Sequence, residues 1–596
     1  MLLAGIDWVI IGVFFVIILA IGIIASRKVG DTSADFFLSG RSMPFWLLGI
    51  SMVATTFSTD TPNLVTDLVR NYGVSGNWLW WAFLLTGMLT VFVYTKLWRR
   101  SSVMTDIEFY EIRYSGKSAA FLRAFRAIYL GFFFNVMIMA TVSLAAIKIG
   151  SVLLNTTPLE TISVALLITV IYAGLGGLRS VLFTDLFLFS FAMFGAVAAA
   201  VVAVNLPEVG GLTGLFSHPN VADKLSLLPD FDDPQTLIIV FIIPIAVQWW
   251  SVWYPGAEPG GGGYLVQRML SAKNEKHAMG ATLFFNVAHY AIRPWPWILV
   301  ALASLIIYPD LATLQSKFPQ IDPSILKDDL AYPAMLTFLP VGVMGIVVAS
   351  LIAAYMSTMA SQLNWGSSYL VNDVYRRFIK PEATEKELVT VGRISTVVLM
   401  LAAGTIALFL QNALQAFHIL LQIGAGTGLI FILRWFWWRI NAMTEIAGMV
   451  VSFVLAVYFE MIHENLGFLP MESHVRLIVG VAITTIIWLA VTFFTKPTDN
   501  KTLIGFYKLI RPGGRGWDKV VEISKKTDDP ITKLAKQGDL ARGLVSMVAG
   551  TFLVYGIVFS SGYFLYGQIL SAVITGAVAL LGGIVLYKNW GKIEML

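Results

Sequence analysis

Ala353-Ala354-Tyr355-Met356-Ser357-Thr358-Met359-Ala360-Ser361 lies deep inside an apolar run that extends from about residue 341 to 369. At 3.6 residues per turn, Ala354, Ser357, Thr358 and Ser361 share one helical face, so three hydroxyls line up far from either end of the run. One reading is close helix packing through small residues. The other is a cation site: a single hydroxyl can bond back to its own backbone, but a stripe of them converging with a backbone carbonyl supplies the oxygen ligands that a hard, partly dehydrated cation takes.

The run has many companions. Hydrophobic residues make up 57% of the 596 positions and charged residues only 13%, the composition of a polytopic membrane protein. Stretches long enough to span hydrocarbon recur at about 6–26, 44–70, 76–98, 119–150, 158–174, 181–204, 235–254, 281–307, 341–370, 387–411, 414–433, 442–463, 475–495, 543–562 and 566–587, about fifteen spans in all. Basic residues fall in alternate loops: Arg27/Lys28, Lys96/Arg99/Arg100, Arg179, Arg268/Lys273/Lys276, Arg376/Arg377/Lys380, Arg434/Arg439, the 496–542 segment and Lys588/Lys592. By the positive-inside rule these loops are cytoplasmic, with the N-terminus outside and the C-terminus inside. The expected location is the plasma membrane, a bacterial inner membrane, in contact with its lipid bilayer. The net charge of +5 then reflects topology rather than a nucleic-acid surface. The first run has no basic region before it and reads as a retained signal-anchor. Cysteine is absent, so disulfides and cysteine metal sites are excluded.

Polar residues inside the runs mark the chemistry. Ala54-Thr55-Thr56-Phe57-Ser58-Thr59-Asp60-Thr61-Pro62-Asn63 places hydroxyls, an acid and a proline at mid-depth, which predicts a broken helix in the second span. Exposed backbone at that depth is tolerated where it lines a cavity, and broken helices whose carbonyls hold sodium recur in secondary transporters. Beyond the break Asp60, Asn63 and Asp67 share a face, and Asp60 is either a functional acid or half of an internal ion pair. Asp185, a turn inside the sixth span, is either an acid favoured by a helix N-terminus or a charge on the ion's way inward. Trp249 and Trp250, about 20 Å down a helix starting near Gln235, read as a stacking wall or gate. The Pro255–Gly263 stretch cannot stay helical and forms a hinge or loop. His289 and Arg293 lie one turn apart; Arg293 either pairs with Asp60 or Glu258 or receives an anionic group of a solute. His418 and Gln422 repeat that spacing and read as a packed polar pair. No metal-spaced histidine cluster, phosphate-cradling loop or soluble domain is present, so an enzyme is not expected.

These motifs resemble the sodium:solute symporter family, which includes sodium/glucose cotransporters. The matching residues are Asp35-Phe36-Phe37-Leu38-Ser39-Gly40-Arg41-Ser42-Met43, the Thr105–Gly116 connector, Gly176-Gly177-Leu178 followed by Thr184-Asp185, Val266-Gln267-Arg268-Met269-Leu270-Ser271-Ala272-Lys273-Asn274, Ala331-Tyr332-Pro333, Asn372-Asp373-Val374-Tyr375 and Trp437-Trp438-Arg439-Ile440-Asn441. The resemblance implies an all-α LeuT-type core of two inverted five-helix repeats. It divides the chain into a leading helix with a cytoplasmic linker (1–43), a first repeat (44–204), an extracellular loop (205–234), a second repeat (235–433) and about four trailing helices with a basic loop (434–596). It implies a sodium site built from the carbonyls of Ala54, Phe57 and Ala354 and the hydroxyls of Ser357 and Thr358, with Asp185 at a second ion or on the release path. Thr56, Asp60, Trp249, Trp250, His289, Arg293 and Phe417 are the expected solute-binding or gating residues. Sodium is the expected coupling ion, with no organic cofactor, and the transporter is expected to act as a monomer. A sugar is not the expected solute: the family's glutamate, lysine and glutamine give way to the Trp80–Phe83 neighbourhood, His289 and the vicinity of Phe417. Asp60 on one side and His289/Arg293 on the other suit a zwitterion or carboxylate.

Overall fold

In the computed structural model, residues 3–27, 33–173, 178–250, 259–411, 418, 421–422, 424, 426–532 and 539–594 are described. Phe417, the Gly176-Gly177 turn, Trp253 and Pro255–Glu258 lie outside them. Helices dominate. In chain order they are α1 (Gly5–Ser26), α2 (Phe45–Thr56), α3 (Asp60–Tyr72), α4 (Val74–Ser101), α5 (Gly116–Leu154), α6 (Pro158–Ala173), α7 (Leu178–Val204), α8 (Pro234–Ala246), α9 (Gly263–Ser271), α10 (Glu275–Ile307), α11 (Val343–Ile379), α12 (Glu385–Ala407), α13 (Gly428–Phe436), α14 (Ala442–Glu460), α15 (Ser473–Phe494), α16 (Asp539–Leu565) and α17 (Ile569–Glu594). Among the described residues eleven helices are long and apolar enough to cross a membrane, with shorter apolar helices at Phe45–Thr56, Pro158–Thr169 and Pro234–Ala246.

The predicted break in the second span is present. α2 ends at Thr56 and α3 begins at Asp60, with Phe57 at φ −87°, ψ 82° between them. Local side chains hold the chain there: Thr56 Oγ1 donates to the Val53 carbonyl at 2.9 Å and Thr61 Oγ1 to the Thr56 carbonyl at 3.3 Å. These hydroxyls bond carbonyls that a continuous helix would use, which is why threonine-rich sequence favours an interruption.

The expected single span at 235–254 is not a continuous helix. α8 stops at Ala246, and Gln248–Trp250 forms one 3₁₀ turn. Trp249 and Trp250 therefore sit on a turn, not deep in a helix. Two bonds to α4 hold that turn: Gln248 Nε2 donates to the Leu79 carbonyl at 2.5 Å, and Thr86 Oγ1 to the Trp249 carbonyl. α9 begins at Gly263, after Gly260 and Gly261 at φ +90° and +85°. Gly260 packs against the Tyr94 ring, 3.0 Å from where a Cβ would stand, and its carbonyl accepts from Trp98 Nε1 at 2.6 Å. Only glycine meets both demands.

The two interrupted helices touch at one end, where Met43 N–H bonds the Ser271 carbonyl at 3.1 Å and Lys273 N–H the Met43 carbonyl at 3.2 Å. α7 and α11 pack closely, because Gly195 faces Ser350 with no room for a side chain. The Thr105–Arg113 connector ties three elements together. Asp106 accepts the Gly263 N–H of α9 at 2.9 Å and the Tyr369 hydroxyl of α11; Thr105 Oγ1 donates to Asp373 at 2.8 Å, and Arg123 of α5 donates to the same carboxylate at 2.8 Å.

Candidate functional site

The hydroxyl stripe of α11 packs against the α2–α3 break. Thr358 Oγ1 donates to the Thr55 carbonyl at 2.8 Å, and Ser357 Oγ donates to Asp185 Oδ1 of α7 at 2.6 Å. The second carboxylate oxygen of Asp185 accepts Ser51 Oγ of α2 at 2.5 Å. Ser361 accepts from Thr55 Oγ1 at 2.8 Å and from Arg268 Nη2 of α9 at 2.7 Å. Arg268 reaches Ser51 Oγ at 3.3 Å and stands 4.0 Å from Asp185. Asp185, Thr358, Ser361 and Arg268 are fully buried, and Ser357 is nearly so. A hydroxyl that donates its proton to an acceptor keeps its lone pairs for a cation. The bonds that Ser357 and Thr358 donate fix their protons and leave their lone pairs able to accept. The Ala54 carbonyl accepts Phe57 N–H at 3.1 Å and, with two lone pairs, retains one.

Next to this lies a second cluster. A π turn over Ala288–Ile292 in α10 presents His289 and Arg293 to the break. His289 Nδ1 is 2.9 Å from Thr56 Oγ1. Arg293 donates to the Thr56 carbonyl and, at 3.1 Å, to the His289 carbonyl; its Nη2 is 3.1 Å from His289 Nε2. Trp80 meets the His289 ring edge-on at 5.6 Å, and the Arg293 guanidinium lies over Trp297 at 5.4 Å. Arg293 is therefore not in an ion pair with Asp60: the guanidinium finds the Thr56 carbonyl, freed by the helix break, closer to hand. Asp60 makes no ion pair among the described residues, and its Oδ1 is buried without a hydrogen-bond partner.

The structure thus brings Ala54, Thr56, Phe57, Thr358, His289 and Arg293 to one break, with Asp185 and Ser357 bonded to each other beside it and Ala354 buried one turn before Ser357 on α11. Trp249 and Trp250 lie across from α4, with rings 5.7 Å apart. His418 and Gln422 both line a cavity of about 420 Å³ with Tyr72, Gln248, Glu460 and Arg476. Sequence reasoning did not single out Ser51, Thr55 and Arg268 as partners of the stripe. Ser51 and Thr55 carried a signal, since polar residues four apart in an apolar run share a face.

Two interrupted helices facing an intact helix that carries a hydroxyl stripe define a secondary transporter of the LeuT type. The family profile of the sodium:solute symporter family matches residues 36–452, and the chain belongs to that family. It is 26% identical to a sodium/glucose cotransporter of Vibrio parahaemolyticus, over 81% of this chain and 90% of that protein. It is likewise 26% identical to sodium/myo-inositol cotransporter 2 of Oryctolagus cuniculus, over 75% of this chain and 69% of that protein. Among solved structures, a substrate-bound, outward-open sodium-coupled sialic acid symporter aligns with TM-score 0.64 at 19% identity, covering 83% of this chain and 99% of the other. The family and its relatives are transporters, not enzymes.

Proposed function

We propose that this chain is a sodium-coupled secondary active symporter that imports a small polar organic solute by alternating access. Sodium binds at the carbonyls of Ala54, Phe57 and Ala354 and the hydroxyls of Ser357 and Thr358, entering from the side where the N-terminus lies. The observation that supports this reading is the pair of donated bonds, Thr358 to Thr55 and Ser357 to Asp185, which leaves the lone pairs of both hydroxyls available to a cation. Asp185 balances the ion's charge, and Arg268 stands beside it on the release side. The solute contacts Thr56, Asp60, His289 and Arg293, with Trp249, Trp250 and Phe417 as gate. The partnerless oxygen of Asp60 and the guanidinium of Arg293 match the two ends of a zwitterion. The repeats 44–204 and 235–433 are the bodies that move, in a plasma membrane with the C-terminus in the cytoplasm.

Sodium binding that favours one state raises solute affinity in that state, and the coupling is reciprocal. One ion supplies about 2.3 kcal/mol per 100 mV and about 1.4 kcal/mol per tenfold gradient, enough for accumulation of several-hundredfold.

The test is uptake into proteoliposomes of pooled labelled amino acids, carboxylates, sugars and nucleosides under an inward sodium gradient, with a potassium control. Sodium-dependent accumulation that collapses in Ser357→Ala/Thr358→Ala supports the symporter and identifies its solute. Accumulation indifferent to sodium overturns the ion site and points to proton coupling; binding without accumulation points to a sensor.

A further inference from the structure

The half of α3 beyond the break carries a polar face that the transport cycle above does not use. Asn63, Thr66 and Asp67 are 1%, 0% and 4% exposed. At spacings of three and four residues they form one contiguous patch, with Cβ atoms about 5–6 Å apart. Both amide atoms of Asn63 and the Thr66 hydroxyl are buried with no hydrogen-bond partner. Asp67 takes one bond, from Asn71 Nδ2 to Oδ1 at 2.8 Å.

The charges around the patch do not balance. Four ionisable neighbours act on Asp67: Asp328, Asp329, Lys148 of α5 and Arg70 of α3. Lys148 is fully buried and bonds both oxygens of Asp329 at 2.7 Å. Arg70 bonds Asp328 at 2.7 Å and spends further donors on the Ser304 and Tyr308 carbonyls of α10 at 3.2 and 2.9 Å. Each cation thus has its own carboxylate, and Asp67 is left with neither. Three carboxylates face two cations; Asp328 is about 26% exposed, but Asp67 and Asp329 are buried, where an uncompensated charge is expensive. Beside that surplus negative charge stand a partnerless amide carbonyl and a partnerless hydroxyl, both hard oxygen donors.

We propose that Asp67, Thr66 and Asn63 hold a monovalent cation of sodium's size, a second ion site separate from the one at the break. Only the choice of sodium rests on the symporter reading; the site itself follows from the charge surplus and the orphaned oxygens. The cation sits on the same continuous helix, α3, that carries Asp60.

The test is equilibrium binding of radioactive sodium to the purified full chain in nanodiscs, with choline as the balancing cation and no solute present. The expected count is about two ions per chain in the wild type, about one in Asp67→Asn, about one in Ser357→Ala/Thr358→Ala, and essentially none when these are combined. Asp67→Asn is isosteric and keeps the bond to Asn71. Asn63→Ala serves as a second variant that removes an oxygen without altering charge, and is expected to weaken the second ion about tenfold or more. Melting temperature in the absence of sodium reports that each variant is folded. If Asp67→Asn and Asn63→Ala leave the count and affinity unchanged while Ser357→Ala/Thr358→Ala loses one ion, the second site is wrong and the symporter reading stands; Asp67 then carries a proton. If the wild type binds no sodium, both fall.

Discussion

Ser357 does two things with one oxygen. Its proton goes to Asp185 at 2.6 Å, and its lone pairs remain to accept. Removing it therefore costs a ligand and also leaves a buried carboxylate oxygen short of a donor, a loss of about 1–3 kcal/mol for the second effect alone. Ser357→Ala is expected to lower apparent sodium affinity by about tenfold or more in uptake assays, and Asp185→Asn to do the same by weakening the acceptor that orients Ser357. Equal sodium activation in both variants and wild type would remove the site from α11. The buried pair Lys148–Asp329 makes a different prediction, read by thermal melting. Lys148→Ala strands a charge and is expected to cost about 3–5 kcal/mol, whereas Lys148→Met with Asp329→Leu is expected to cost far less, because the desolvation of both ions disappears with them. At this scale the sequence was legible where residues share a helical turn, as Ser357, Thr358 and Ser361 do. It was silent where partners lie far apart in the chain: Lys148 is separated from Asp329 by 181 positions and Arg268 from Ser361 by 93. No periodicity relates such residues.

Helix interruptions follow the same division. The first was readable because Pro62 and a run of hydroxyls fall in the middle of an apolar stretch. The second was hidden because Ile238–Ala246 and the tryptophans after it look apolar throughout, while the turn is held by a bond from Thr86 of α4 to the Trp249 carbonyl and one from Gln248 to the Leu79 carbonyl of α4. Contacts between whole helices give a test of their own. A Cβ on Gly195 would stand 2.1 Å from Ser350 Oγ, so Gly195→Val must push α7 away from α11. Asp185 rides on one of these helices and Ser357 on the other. The variant is therefore expected to weaken sodium binding although neither ligand is touched, with a sodium titration of uptake as the measurement. The Trp250 turn is as constrained: a Cβ on Gly428 would lie 1.4 Å from the Trp250 carbonyl, and Gly428→Ala is expected to abolish uptake while leaving the chain inserted.

For the molecule as a whole, the prediction concerns driving force. If one sodium crosses with each uncharged or zwitterionic solute, an imposed potential of about 100 mV, negative inside, should raise steady-state accumulation about fiftyfold over the same gradient at zero potential. A second coupled ion, if the α3 site also turns over, should square that factor; indifference to voltage would exclude net charge movement. Composition and alternating basic loops were enough to read a polytopic membrane protein, and the ordered motifs from 35 to 441 enough to read the LeuT-type fold. The geometry of the ion-proximal network was not legible, because it is made by α2, α7, α9 and α11 meeting in three dimensions.

Asp106 has one carboxylate and two obligations, the Gly263 amide on α9 and the Tyr369 hydroxyl on α11. α9 belongs to an interrupted helix, and α11 carries the hydroxyl stripe. Because one carboxylate holds both bonds, removing it loosens both helices at once. A transporter whose helices can relax independently lets ions slip through without cargo. Asp106→Ala is expected to leave solute binding intact and to raise sodium leak in solute-free vesicles, turning a tight stoichiometric machine into a leaky one.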